Sequence, residues 1–574
     1  MTDPGRKAAA KDAKITLLAC SLTSVWLVSS VASDAAADEK DKAYLHARPE
    51  EMARWREMRF GMFVCWGPVS LTGKEIGWSR GGERRGRKGT GPTPVEVYDN
   101  LYKTWKPDQF DARQWVQIAQ DAGMKYMIFL VKHHDGFCLY DTNLTDYKST
   151  NPQAAWRHDV MADIAAACHQ AGLKLFIYYS QPDWHHPDYR AKNHRRYIAY
   201  LHGQIRELLT HYGRIDGLWF DGLGGKADDW DAPALFKMAR DIQPHLIINN
   251  RCGLPGDFDT PEQRVGRFQT DRPWESCITL GTQWSWKPND KIKSLKECIG
   301  ILVRCAGGDG NLALNTNPMP DGQIEPRQAA RFREIGQWLN RYGESIYGTR
   351  GGPIKPGPWG ASTYKGKTVY VHVLKWQDAI LRLPALPKKI VASRLLTGGT
   401  VRVAQEENGI TIAVPPQHRH EIDTVVELEL DGLAEDIAPR AMRSGSLAAF
   451  KKIKASSVWP NPGYEPDKAV DDDDGTRWGA GSDARSGWLE IDLGKPETLN
   501  RAVILEGPWN RVRAFELQYK DGEAWKTFAK GTKIGTLRLT FEPVTTRFVR
   551  LNILSATNVP TIWEVQLFSV TQSP

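Results

Sequence analysis

Residues 213–222 read Gly213-Arg214-Ile215-Asp216-Gly217-Leu218-Trp219-Phe220-Asp221-Gly222. Ile215 to Phe220 is apolar and aromatic apart from one Asp and one Gly. Such a run, bounded by turn residues, predicts a short buried strand of a mostly parallel sheet. It ends in a carboxylate, Asp221, followed at once by Gly222. A charge at the end of a buried strand is costly unless it is paired or hydrogen-bonded. At the C-terminal end of a barrel strand it is where catalytic groups sit. Trp219 and Asp221 are two apart and share a face. An indole wall then stands beside a carboxylate, which suits a sugar ring attacked from one side. The alternative for Asp221 is a cap on the following helix.

Outward from this stretch, strand-like runs alternate with amphipathic ones. Strands are predicted at Phe60–Trp66, Met124–Lys132, Leu173–Ser180, His245–Arg251, Trp274–Thr279 and Asn311–Thr316. Helices are predicted at Asp111–Ala122, Asp159–Ala171, Arg195–Tyr212, Pro233–Asp241 and Lys291–Ala306. This alternation implies βαβ units and a (β/α)8-like barrel over residues 45–347. From about Gly348 the helical pattern stops. Runs at Lys365–Leu374, Ala379–Leu383, Ile410–Val414 and Thr424–Leu430 predict a small β-sandwich over 348–432. Residues 433–446 read as a linker, and 447–574 as a second C-terminal β-sandwich.

The chain has 574 residues, which suggests several domains. Its formal charge of +8 is small for that length, and no basic run is dense enough to argue for nucleic acid. The nearest, Arg80 to Arg87, is Gly-rich like a loop. The 22 Trp are consistent with carbohydrate contact or with a Trp-rich core. A basic segment (Arg6, Lys7, Lys11, Lys14) precedes an apolar stretch and small residues, so residues 1–37 read as a signal peptide and predict export to the periplasm or exterior. No later apolar run is long enough to span a bilayer. No pair of the eight Cys has metal-ligand spacing.

His133, His134, Tyr178, Trp184, Trp219, Asp221, Arg251 and Glu275 all fall at or beyond predicted strand ends, on the catalytic face of such a barrel. Two carboxylates among sugar-sized polar groups suggest glycoside hydrolysis, with retention requiring them about 5–5.5 Å apart. Asp221 is the expected nucleophile and Glu275 the expected acid/base, with Trp274 beside it to desolvate the carboxyl. The alternative for Glu275 is an ion pair with Arg272.

Several segments resemble glycoside hydrolase family 29, the retaining α-L-fucosidases. They are Arg59 to Gly67, Lys125-Tyr126 through Lys132-His133-His134-Asp135-Gly136-Phe137, Tyr178-Tyr179-Ser180, Leu218-Trp219-Phe220-Asp221-Gly222, and Gly308 to Asn315 with Pro320-Asp321-Gly322. The resemblance implies an exported exo-glycosidase that releases α-L-fucose from fucosylated oligosaccharides or polysaccharides through a covalent fucosyl-enzyme, with no catalytic cofactor. It implies that His133 and His134 bind fucose hydroxyls, that Tyr178 and Trp219 line the pocket, and that Arg251 reaches the ring or the nucleophile. Trp66, Trp78 and Cys65 join the expected substrate-binding set. There are two departures: Cys65 stands where the family has His, and Gly77 where it often has Glu before Trp78, with Glu75 nearby. Two other functions are compatible with the residues, a catalytically silent glycan-binding protein and the same chemistry on a related sugar such as an α-galactoside.

The C-terminal region resembles the discoidin (factor 5/8 type C) sandwich of family 32 carbohydrate-binding modules, through Ala469-Val470-Asp471-Asp472, Asp474-Gly475-Thr476-Arg477-Trp478, Trp488 to Gly494 and Glu564 to Leu567. The resemblance implies a structural Ca²⁺ held by Asp471, Asp474, Thr476 and Glu564, an oxygen-rich set that suits a hard cation. The alternative is a solvated acidic turn. Trp459, Tyr464 and Trp509 are the expected glycan contacts. The sequence says nothing of oligomeric state.

Overall fold

The computed structural model describes residues 43–569, leaving out 377, 408, 443, 474 and 508. The expected signal peptide and the expected metal ligand Asp474 lie outside the described residues. Two compact units make up the chain. Residues 265–271, 294–312 and 338–574 belong to the second, and the remainder to the first.

The first unit carries the curled sheet of an α/β barrel, all but its residues Asn311 and Leu312. Its strands are β1 (Phe60–Val64), β2 (Tyr126–Lys132), β3 (Lys174–Tyr179), β4 (Gly217–Phe220), β5 (Ile247–Ile248), β6 (Glu275–Thr279) and β7 (Asn311–Thr316), in the order β5-β4-β3-β2-β1-β7-β6. β1 to β5 pair in parallel with their neighbours. All seven residues of β2 are buried, as expected for a strand covered on both faces. Two of the intervening helices, Ala112–Asp121 and Val160–Ala171, start on aspartate caps. Asp111 accepts from the backbone N–H of Arg113 (2.9 Å) and Gln114 (3.3 Å), and Asp159 from that of Ala162 (3.1 Å). The helix Ala112–Asp121 then buries Trp115, Val116, Ile118 and Ala119 along one stripe.

The ring closes between β5 and β6 through residues 258–262, which form no named strand. Phe258 bridges Asn249, Asp259 bridges Trp274, and Glu262 bridges Cys277, each in parallel. Pro261 has no N–H to contribute, so pairing there is one-sided; its carbonyl accepts from Cys277 at 3.1 Å. Side chains along this segment alternate. Phe258, Thr260 and Glu262 face inward, Phe258 packing against Trp55 in the barrel core. Asp257 and Asp259 face outward, where they pair with Arg240 and Arg272.

The same alternation corrects the expectation for Trp66. Phe63 and Cys65 face the barrel interior, so Trp66 faces away. It is 1% exposed, packs against Trp105, Phe110 and Trp115, and donates its indole N–H to Met319 O at 3.0 Å. Trp66 is a core residue and not a sugar contact.

The second unit is largely β. A five-stranded and a three-stranded antiparallel sheet enclose Val369, Val371, Ile410, Ile412, Val426 and Leu428. The long antiparallel strands Gly487–Leu505 and Thr536–Ala556 anchor a further sheet over Trp478, Leu489, Ile491, Phe515 and Leu551. Among the described residues, no helix is long and apolar enough to cross a membrane.

Replacing Trp66 by Ala should lower barrel stability by about 3–5 kcal/mol, the cost of emptying a large aromatic site. Urea unfolding measures this. If Trp66 were a sugar contact instead, KM would rise with little change in the unfolding midpoint.

Candidate active site

The C-terminal ends of the strands surround a cavity of about 130 Å³. It is lined by Phe63, Cys65, Trp78, His133, His134, Tyr178, Trp219, Asp221, Leu223, Arg251, Glu262, Cys277 and Trp284. Of the ten expected catalytic and substrate-binding residues, the structure brings all but Trp66 and Glu275 to this cavity.

Asp221 follows β4 directly, and its N–H bonds to Tyr179 O at 3.2 Å. Its carboxylate is held on both sides. Tyr178 donates its hydroxyl to Oδ2 at 2.9 Å, and Arg251 Nη1 lies 3.3 Å from Oδ1. These contacts answer the cost of a charge at a buried strand end. The Tyr178 ring stacks on Trp219 (centroids 5.6 Å apart, 24° between planes). The Arg251 guanidinium lies over the Trp219 indole at 4.6 Å. Thr260 holds its Nε–Nη2 edge, accepting from Nε at its hydroxyl (2.8 Å) and from Nη2 at its carbonyl (3.0 Å).

His134 Nδ1 lies 2.6 Å from Ser180 Oγ. The serine hydroxyl donates its one proton to Pro182 O at 2.6 Å, so Nδ1 must be the donor to Oγ. Burial, and then the charges of Arg251, Arg87, Lys132 and Arg84, hold this imidazole well below its ordinary pKa. It is therefore neutral, with a bare Nε2 facing the cavity 3.6 Å from Asp221 Oδ2, able to accept from a sugar hydroxyl. His133 is likewise held neutral, first by burial and then by His134. Its Nδ1 is buried without a hydrogen-bond partner and points at Gly77.

Gly77 has φ +60°, and a Cβ there would stand 2.3 Å from His133 Nδ1. No larger residue fits, which accounts for the departure noted in the sequence. Glu75 does not line the cavity. Its carboxylate accepts from the backbone N–H of Ile76 (3.0 Å), Trp284 (2.9 Å) and Ser285 (3.1 Å), and so positions the Trp284 wall. Burial, and then Glu75 and other acidic groups, push the Cys65 thiol well up, so it lines the cavity in its uncharged form.

The structure corrects the expectation for Glu275. It is the first residue of β6, and Glu275, Cys277 and Thr279 share the inward face. Cys277 lines the cavity, and Glu275 lies one layer below it, fully buried beneath Trp219. Trp219 Nε1 donates to Oε1 at 3.1 Å, and the Tyr126 hydroxyl donates to Oε2. Burial raises its pKa to about 7 against the pull of these two donors. Arg272 pairs with Asp259 and not with Glu275.

The second carboxylate of the cavity is Glu262, which sequence reading missed. Its Oε2 lies 3.0 Å from the same Arg251 Nη1 that contacts Asp221 at 3.3 Å. The two oxygens are thus no more than about 6.3 Å apart, which admits the separation retention needs. The signal that could have found it is the alternation Phe258, Thr260, Glu262 after β5.

In the C-terminal sandwich, Asp471 and Glu564 come together. Thr476 donates its hydroxyl to Asp471 (2.9 Å), and Glu564 accepts from the N–H of Asp473 (3.1 Å). Burial, and then Asp472 and Asp471, raise the Glu564 carboxyl to about 9. Among the described residues, no three or more His, Cys, Asp or Glu are placed to hold a metal. The expected calcium set is thus incomplete without Asp474.

A family model described as alpha-L-fucosidase matches residues 27–344, and one described as F5/8 type C domain matches residues 452–565. The chain is 27% identical to the plasma alpha-L-fucosidase of Homo sapiens over 409 residues, 64% of this chain and 86% of the relative. Alpha-L-fucosidase isoenzyme 1 from Paenibacillus thiaminolyticus superposes with a TM-score of 0.60 at 34% identity, covering 67% of this chain and 99% of that one. A GH29 alpha-L-fucosidase from Bacteroides thetaiotaomicron, trapped as a covalent intermediate with 2-fluoro-fucosyl fluoride in a glutamate-to-glutamine mutant, superposes at 0.60 with 26% identity, covering 67% of this chain and 97% of that one.

The raised pKa of Glu564 has a definite sign. Between about pH 4.5 and 9 the folded domain keeps a proton that the unfolded chain releases, so stability falls as pH rises through that window. With metal chelated, the unfolding midpoint of the C-terminal domain should fall from pH 6 to 9. Glu564→Gln should flatten the trend, and calorimetry across pH measures both.

Proposed function

The chain belongs to the alpha-L-fucosidase family of glycoside hydrolases, and from that premise we propose that it cleaves terminal α-L-fucosides with retention, using Asp221 as nucleophile and Glu262 as acid/base. The observation that carries this reading is the shared guanidinium of Arg251, which brings the two carboxylates within reach of one anomeric centre. No other pair of acids lines the cavity among the described residues.

The roles follow from the contacts. The fucosyl ring lies against Trp219 and Tyr178, with its hydroxyls at His133 and at the bare Nε2 of His134. Asp221 attacks the anomeric carbon from below the ring, held in line by Tyr178 and Arg251. Glu262 is half exposed at the mouth, where the aglycone lies. Substrate entry turns its carboxyl from Nη1 to the glycosidic oxygen. There its proton passes to the leaving oxygen as the bond to the anomeric carbon breaks. After the aglycone leaves as its alcohol, the same carboxylate takes a proton from the water that opens the fucosyl-enzyme. Glu275 takes no part in the transfer; it fixes the Trp219 indole from below. Trp78 and Cys65 shape the wall.

Further parts of the proposal rest on sequence. Residues 1–37 support export, and N-terminal sequencing of the secreted protein should find them removed. The F5/8 type C domain supports attachment to glycans, with Trp509 exposed on its surface. Calcium in that domain rests on the Asp471 and Glu564 carboxylates together with Asp474.

Incubation with 2-fluoro-fucosyl fluoride followed by peptide mass spectrometry should label the peptide holding Asp221. Asp221→Ala should lose at least ~10⁴-fold in kcat on 4-nitrophenyl α-L-fucoside, as for loss of a nucleophile. Glu262→Gln should lose ~10²–10⁴-fold on a fucosyl disaccharide and less on the aryl fucoside, whose leaving group needs little protonation. Glu275→Gln should stay within about tenfold of the parent, since the amide oxygen keeps an acceptor for Trp219 Nε1 and the Tyr126 hydroxyl can turn to accept from the amide N–H. The reverse order for Glu262 and Glu275 would overturn the assignment.

A further inference from the structure

The loop from Arg80 to Gly91 carries five cations (Arg80, Arg84, Arg85, Arg87 and Lys88) against one acid, Glu83. Arg80 is neutralised by Asp99 through two bonds of 2.6 Å. The others are not. Arg85 bonds the carbonyls of His186, Pro187 and Tyr189, and Arg87 that of Leu223 at 2.5 Å. The loop is thereby strapped across the segments that follow β3 and β4, and Leu223 itself lines the cavity.

Arg84 is the anomaly. It is 9% exposed, yet no carboxylate among the described residues pairs with it. It donates only to Trp78 O, and its Nε is buried without a partner. The guanidinium lies over the rings of Trp78 (5.3 Å) and Trp184 (5.4 Å). Both indoles pack on His134, and Trp78 lines the cavity wall. A buried cation without a counter-ion is costly, and two aromatic faces offset only part of that cost. Arg84 and Arg87 both bear on His134, where their charges add to the depression of its proton affinity. Arg84 lies on Trp78 and Arg87 binds the carbonyl of Leu223, and both of those residues line the cavity, so the two cations stand behind its wall.

We propose that Arg84 and Arg87 form an anion subsite for the leaving group, so that the preferred substrates are fucosides whose aglycone carries a sulfate ester or a carboxylate next to the scissile bond. The inference rests on the reading of the cavity as a fucosidase site. The Arg84 guanidinium lacks a counter-ion, and an anionic oxygen at its terminal nitrogens supplies one. Arg87 is exposed and acts through attraction that salt screens.

The test compares 4-nitrophenyl α-L-fucoside with its 3-carboxy derivative, each read as kcat/KM on the full chain. The quantity of interest is the ratio of charged to neutral substrate, in which any general loss of activity cancels. In the parent this ratio should fall as NaCl rises from roughly 0.02 to 0.5 M. It should fall about threefold in Arg87→Gln and about tenfold or more in Arg84→Met. A ratio that ignores both salt and Arg87→Gln overturns the proposal, even where Arg84→Met fails to fold. Absence of turnover on the neutral fucoside by the parent would instead overturn the reading of the cavity itself.

Discussion

The cavity depends on one guanidinium. Two carboxylates with oxygens no more than about 6.3 Å apart repel one another. Arg251 offsets this by placing Nη1 between Asp221 and Glu262. Its planar fork leaves Nε and Nη2 free for Thr260, and its face rests on Trp219. A lysine could supply the charge but neither the two-sided bonding nor the stacking. Thr260 is itself fixed, donating its hydroxyl to Asn250 Oδ1 at 3.0 Å. The site is thus assembled from both sides of the gap between β5 and β6, where the regular ladder fails.

That gap explains what the sequence could and could not tell. The apolar runs from β1 to β4, and β7, were legible because a strand buried on both faces leaves a continuous hydrophobic signature. The helices that follow Asp111 and Asp159 were legible to within a residue, whereas the one expected from Lys291 starts only at Leu295. The barrel's closing segment left no such mark. Residues 257–263 read Asp-Phe-Asp-Thr-Pro-Glu-Gln, polar and interrupted by proline, which is loop chemistry by composition. Its strand-like path is imposed by neighbours on both sides. β5 itself is short, Ile247–Ile248, where the apolar run suggested seven residues. Glu262 was hidden for the same reason, because a residue cannot be placed on a face until its segment is known to have faces.

The two misplaced residues, Trp66 and Glu275, fail for a different reason. Both lie where the fold was read correctly, and both were assigned by proximity to a motif instead of by parity along the strand. Trp66 follows Cys65 and therefore turns its back on the cavity that Cys65 lines. Glu275 has the right parity but stands at the wrong end of β6, two residues below Cys277. Gly77 was legible as a departure but not as a requirement. Only the position of His133 Nδ1 shows that any side chain there would strike an imidazole.

Glu275 remains informative where it stands. Its carboxyl receives Trp219 Nε1 and the Tyr126 hydroxyl, so it sets the angle of the indole on which Arg251 lies. A mechanical path runs from the barrel floor to the mouth: Glu275 to Trp219, Trp219 to Arg251, Arg251 to both carboxylates. Charge is partitioned along that path. Were Glu275 as acidic as an ordinary glutamate, it would add a third negative charge beneath Asp221 and Glu262, with a single arginine to serve all three. Burial instead raises it to about 7, so near neutrality a large fraction carries no charge. The reacting layer is then left with one guanidinium for two acids, and once Glu262 holds the proton meant for the leaving group, the charge on Asp221 alone faces the oxocarbenium-like transition state, positive at the ring.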